Sequence, residues 1–139
     1  MASVVFNRGK FRIMSRAAVG TFKALLAQPA YTPNPDQNFV SEVTNELTGG
    51  TYTRKTLTGV AYTEDDAADR AIFTSDAVAW SALATVAAGQ QAGWLVIFED
   101  MGGADTGNHL IVAHDITDVT TDGNDLTVTP NAAGWLYAA

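Results

Sequence analysis

Gly93-Trp-Leu-Val-Ile-Phe-Glu-Asp-Met-Gly-Gly-Ala-Asp-Thr-Gly-Asn-His-Leu-Ile-Val-Ala-His-Asp115 is the stretch that decides how this chain folds. Trp94–Phe98 and Leu110–Ala113 are apolar at every position, not at alternate ones. A strand with one wet face alternates, so these two belong inside a sandwich or barrel, covered on both sides. Their connection is acidic and rich in glycine, and both histidines of the chain lie in the stretch.

Those histidines raise the question of a metal site, and strand geometry argues against one. His109 and His114 are five apart, so regular alternation sends them to opposite faces unless a bulge intervenes. His109 and Asp115 share a face but are separated by roughly 20 Å along a strand, beyond chelation. No His-Glu-x-x-His or other compact zinc spacing occurs, and the chain has no cysteine. The expectation is a hairpin with both rings partly solvated, and no bound metal or cofactor. Asp115, Asp118, Asp122 and Asp125, and separately Glu99, Asp100 and Asp105, offer calcium-type oxygens. Their spacing is not that of an EF-hand loop, and aspartate is a common turn residue because its side chain caps its own backbone.

Outward from this stretch the texture stays β. Val119–Thr129 reads as a hairpin around Asp122-Gly123-Asn124, with Leu126 and Val128 inward and Thr127 and Thr129 outward. Gly134–Tyr137 is a final short strand. Thr51–Thr58 and Arg70–Thr74 are strands separated by an exposed acidic turn at Glu64–Asp69. Asp76–Ala88 reads either as a helix capped by Asp76 or as a strand starting at Val78. Pro29, Pro33 and Pro35 make Tyr31–Asn38 an extended loop. Thr21–Ala27 either continues a preceding helix or forms a strand. Asn7–Arg16 is compatible with a short helix, capped by Asn7 and with Phe11 and Met14 on one face. Gly9 weakens that helix by roughly 1 kcal/mol relative to alanine.

The expected fold is therefore mainly β: a single-domain antiparallel β-sandwich, jelly-roll-like, with a short N-terminal helix or arm. Residues 1–30 form the basic arm or helix, packed on or extending from the domain, and residues 31–139 form the sandwich. Trp94, Val96, Phe98, Ile111 and Leu126 are its expected core. At 139 residues one domain is the natural size. No apolar run reaches the ~18 residues of a membrane helix, and the first ten residues do not form a secretory signal. The expectation is a soluble chain that is not exported by that route.

Charge is unevenly distributed. Residues 1–23 carry Arg8, Lys10, Arg12, Arg16 and Lys23 and no acid, whereas the remainder sets three basic residues against fifteen acids. After Arg70 there is no lysine or arginine at all. A body so acidic repels nucleic acid, whose phosphates are bound by lysine and arginine. The basic segment is either an arm that docks on an acidic surface or a solvated helix end. Arg8, Lys10, Arg12 and Arg16 are the candidate interface residues.

Catalytic patterns are missing. Gly102-Gly103 is followed by neither a Lys-Ser nor a dinucleotide pattern. Neighbouring carboxylates such as Glu99-Asp100 point to opposite faces of a strand and make a poor acid/base pair. Trp80, Trp94 and Trp135 read as core packing more readily than as a sugar platform. The sequence points away from an enzyme.

The order of Tyr31-Thr-Pro-Asn-Pro-Asp36, Asn45-Glu-Leu47, Gly50–Leu57, Asp76–Trp80, Gly93–Phe98 and His109–Asp115 resembles a family of small structural proteins of tailed bacteriophages and prophages. The resemblance runs from about Phe6 to Trp135. It departs after the Trp94 strand, where the family's plainer aspartate-glycine turn is replaced by Met101–Gly107. It implies a virion component made in the host cytoplasm, most simply a capsid decoration (cement) protein. Its partners would be the major capsid protein and itself, in a symmetric homo-oligomer such as a trimer, with no nucleic acid and no membrane. The alternative is a head-fibre or tail accessory module that binds host-surface glycans.

Overall fold

The structure, a computed structural model, describes residues 2–14, 20–85 and 90–138. Its centre is the pair anticipated from the two apolar runs: β7 (Gln91–Asp100) and β8 (His109–Thr120) pair antiparallel, with Phe98 opposite Leu110 and Val96 opposite Ala113. β2 (Thr21–Ala27) pairs with the other side of β7, which settles the helix-or-strand choice for that segment. Short strands close the edges, β1 (Ser3–Val5) on β8 and β3 (Lys55–Thr56) on β2. The resulting sheet has the order β1-β8-β7-β2-β3.

A second layer covers one face of this sheet, here called the inner face. It consists of β10 (Leu136–Ala138), β5 (Arg70–Thr74) and β4 (Ala61–Asp65) in that order, and of the pair β6 (Val78–Trp80) and β9 (Leu126–Val128). All pairings are antiparallel. Phe22, Ala24, Leu26, Leu95 and Ile97 of the large sheet pack there against Phe73, Val78, Trp80, Val128 and Trp135. The opposite face buries Leu25, Val96, Phe98, Leu110 and Ala113 under Phe6, Tyr31 and Val40. The proline-rich loop therefore acts as a lid on the sheet, and this is why the central strands are apolar on both faces. The fold is the expected β-sandwich with one short helix.

That helix, α1 (Asn7–Met14), lies against β8. Gly9 is there for contact and not for weakness: a Cβ on it would fall 2.3 Å from the Ile111 carbonyl oxygen. The buried side of α1 carries Gly9 and Ile13, while Phe11 is 58% exposed, unlike the Phe11–Met14 face expected from spacing. The Met14 side chain and Arg16 lie outside the described residues. Asn7 is a tether to the loop, its amide donating to Asp36 Oδ1 at 3.0 Å.

Further expectations change. Val119–Thr129 is not a hairpin: β8 continues to Thr120, and β9 crosses to the second layer to pair with β6, Val128 opposite Val78. The Asp122–Asn124 turn keeps its chemistry, with Gly123 at φ 95°, and the inward Val128 and outward Thr127 also hold. Only Lys55–Thr56 of the Thr51–Thr58 run is strand. Val78–Trp80 is strand, while residues 86–89 lie outside the described set. Of the expected core, Val96, Phe98 and Ile111 are buried, whereas Trp94 and Leu126 are half-buried. Residues 1–30 supply two strands of the large sheet and are built into the domain.

Candidate functional site

The N-terminal cations are placed by elements that hold each of them differently. Arg12, on α1, reaches the end of β7: its Nε and Nη2 both lie 2.8 Å from Glu99 Oε1. Glu99 is fully buried, and its Oε2 accepts the Gly20 backbone N–H at 3.0 Å. One carboxylate thus joins α1, the start of β2 and β7. A buried ion pair with both carboxylate oxygens engaged fixes geometry, because breaking one side strands a charge. The sequence signal for it was an acid placed directly after the two-faced run Trp94–Phe98. Spacing along the strand does not disclose it, because the partner Arg12 is 87 residues away in the chain.

Arg8 donates from Nε to Asn38 Oδ1 at 3.3 Å, and its guanidinium lies 5.3 Å from the Phe39 ring centre. Lys10 is exposed at the rim of an apolar cavity of about 80 Å³ that opens between α1 and the β10-β5-β4 sheet. Ile13, Ala71, Phe73 and Leu136 line it, and Tyr62 and Tyr137, more than half exposed, flank it. Lys23 is paired with Asp100. Of the four candidate interface residues, then, Arg12 faces inward, Arg16 lies outside the described residues, and Arg8 and Lys10 remain at the surface. The flanking tyrosines were not singled out from sequence, since an isolated tyrosine in a short strand looks the same whether it is inside or outside.

Of the carboxylates considered for calcium, Glu99, Asp100, Asp105, Asp122 and Asp125 have protein partners. Arg54 sits between Glu46 and Asp105, with contacts of 2.8 and 2.7 Å, and its guanidinium lies over the Phe98 ring. The same hydrogen bond lowers the Asp105 pKa. Asp100 is held down by Lys23 and by the Gly102 N–H. Asp122 Oδ1 caps Asn124, and Asp125 Oδ1 accepts the Ala82 N–H. Among the described residues, no group of three or more histidine, aspartate or glutamate side chains is arranged to hold a metal ion.

The histidines differ from expectation. A bulge falls between Leu110 and Val112, where Ile97 pairs with Val112 and Phe98 with Leu110, so strict alternation breaks between the two rings. His114 is buried at 4% exposure and not partly solvated. Its Nε2 lies 2.9 Å from the Trp135 carbonyl. That oxygen only accepts, so Nε2 carries the proton. Its Nδ1 is buried without a partner among the described residues, as is that of His109. Burial lowers the pKa of both rings, reinforced at His109 by Arg12 and opposed at His114 by the Trp135 bond. His109 lies against the Phe39 ring, centroids 5.4 Å apart, so the two histidines serve different partners.

The indoles face the interior. Trp80 and Trp135 are buried and donate to Thr53 O at 2.7 Å and Ser75 Oγ at 2.8 Å. Trp94 stands edge-on to Tyr31. Burial pushes the Tyr31 hydroxyl up to about 12. Among the described residues no helix is long and apolar enough to cross a membrane. No family model, curated protein or solved structure matches the chain.

Proposed function

We propose that this chain is a structural protein of a tailed-bacteriophage virion, a capsid decoration subunit that binds the head shell and stabilises it together with other copies of itself. The observation that carries this reading is how the side chains are divided. Trp80 and Trp135 are buried with their N–H groups satisfied, whereas apolar and cationic surface meet at one end, where Tyr62 and Tyr137 flank the cavity rimmed by Lys10. Such a patch on an otherwise acidic body suits attachment to another protein, because exposed tyrosines beside an apolar cavity are the kind of residue that anchors protein interfaces. The motif order described above supports the same reading. Assembly would take place in the host cytoplasm, with the major capsid protein as partner.

The test is co-sedimentation of the purified chain with empty capsids of the phage or prophage that encodes it, followed by thermal melting of the shells. Saturable binding and a higher shell melting temperature are expected. A chain that binds glycans, loses that binding with Tyr62→Ala or Tyr137→Ala, and ignores the shells would instead identify a host-adhesion module of a head fibre or tail.

A further inference from the structure

We infer that two copies of this chain pair edge to edge through β1, antiparallel about a two-fold axis, so that their five-stranded sheets continue into each other. The five- and three-stranded sheets end in the edge strands β1, β3, β10 and β4. β3 carries Lys55, with Arg54 just before it, and β4 carries Glu64 and Asp65. Charges of this kind are how folded proteins keep an open edge from pairing with another chain. β1 (Ser-Val-Val) and β10 (Leu-Tyr-Ala) carry none. These two unguarded edges lie beside one open groove, bordered by Ser3, Val5, Asn131 and Tyr137.

Of the two, β1 is built to meet its own copy. Phe6 N–H donates to Ile111 O, Asp115 N–H donates to Ala2 O, and Val4 sits opposite Ala113. The even-numbered residues thus turn their main-chain groups to β8, and the period of two turns those of Ser3 and Val5 outward. No hydrogen bond joins those outward groups to another described residue. An antiparallel pairing centred on Val4 sets Ser3 opposite Val5 of the facing copy in both directions, satisfying all of these groups at once. Electrostatics favour the same occupant. The chain carries a net charge of −7, so two copies meeting over their acidic surfaces repel, while β1 carries no acidic side chain. The antiparallel register also brings Asp115, exposed beside Ala2, toward the start of α1 in the facing copy. Arg8 stands there without a carboxylate partner among the described residues, since Asp36 is bonded to Asn7 and Glu42 to the Asn38 and Phe39 N–H groups.

This contact specifies the homo-oligomer of the proposed function and rests on that reading for its place in a virion, but the protein alone tests it. Sedimentation velocity of the full chain across a wide concentration range should show a monomer–dimer equilibrium. Ser3→Pro removes an outward N–H that the monomer does not use, and proline is tolerated at such an edge position. Ser3→Lys puts a charge on the exposed edge. Each should weaken self-association about tenfold or more, through lost main-chain hydrogen bonds in the first and like-charge approach in the second, with the melting temperature of the monomer unchanged. A parent that stays monomeric or forms a trimer, or variants that dimerise as well as the parent, would overturn the inference. A monomeric parent that still binds shells refutes the β1 contact and leaves the decoration reading standing; a dimeric parent that ignores shells does the reverse.

Discussion

At the scale of single residues, two positions do work that their residue types conceal. Gly9 reads as a weak point in a helix, yet α1 reaches β8 only because nothing projects from it toward the Ile111 carbonyl. Gly9→Ala improves helix propensity and should still destabilise the protein by about 1–3 kcal/mol, because the neighbour is backbone and cannot swing aside. Urea unfolding reads this directly, and a stabilised variant would show that α1 can shift without loss. His114 is the second position. Its pKa in the folded state is lowered by burial, so the unfolded chain binds the proton more readily. Stability from this residue is fully present above the unfolded value of about 6.5 and is lost as pH falls from there toward the folded value. Denaturation at about pH 7.5 and about pH 5.5, roughly one unit either side of that value, should show a weaker fold at the lower pH. His114→Gln should shrink the difference, leaving the part due to His109, and an unchanged difference would place the acid sensitivity elsewhere.

At the scale of elements, the Arg12–Glu99 pair joins three pieces of chain, and its energetics can be separated from simple charge. Glu99→Leu strands Arg12 and the Gly20 N–H and should cost about 3–5 kcal/mol, whereas Arg12→Met combined with Glu99→Leu should recover much of that loss. A double-mutant cycle in urea measures the coupling, and additive losses would mean that the pair holds nothing together. The elements also show what was legible beforehand. The two-faced runs at Trp94 and Leu110 announced covered strands, since no half-solvated strand has that pattern, and the prolines announced the loop that covers them. The partner of β9 was not legible. Alternation at Leu126–Val128 fixes which side faces in, but the same alternation suits β8 or β6, and only packing across the two layers selects β6. The bulge at Ile111 was hidden for a related reason: it lies where α1 meets β8, a contact that alternation along the strand does not announce. Of the candidate surface, composition located the cations but could not tell Arg12, drawn inward by a buried acid distant in sequence, from Lys10, left at the rim.

At the scale of the whole molecule, charge segregation is the property most open to test. The cations of the first 23 residues precede a body that is strongly acidic, yet the fold consumes Arg12 and Lys23 in pairs with Glu99 and Asp100. Under the proposed function, what the surface would offer a shell is Arg8 and Lys10, together with the tyrosines at the cavity. Single exposed ion pairs contribute only ~0.2–1 kcal/mol each. Repeated over many subunits on a lattice they add through avidity, and they weaken with salt because exposed pairs are screened. Arg8→Glu with Lys10→Glu should therefore reduce co-sedimentation with empty capsids at low salt while the melting temperature stays close to the parent's. Arg12→Glu should behave differently: placed against buried Glu99 it sets two acids together and should lower the melting temperature first. If the Arg8/Lys10 double variant binds shells as tightly as the parent at low salt, the cations are a solvated helix face. Attachment then rests on the apolar cavity, and Ala71→Asp at its lining becomes the variant that should abolish it.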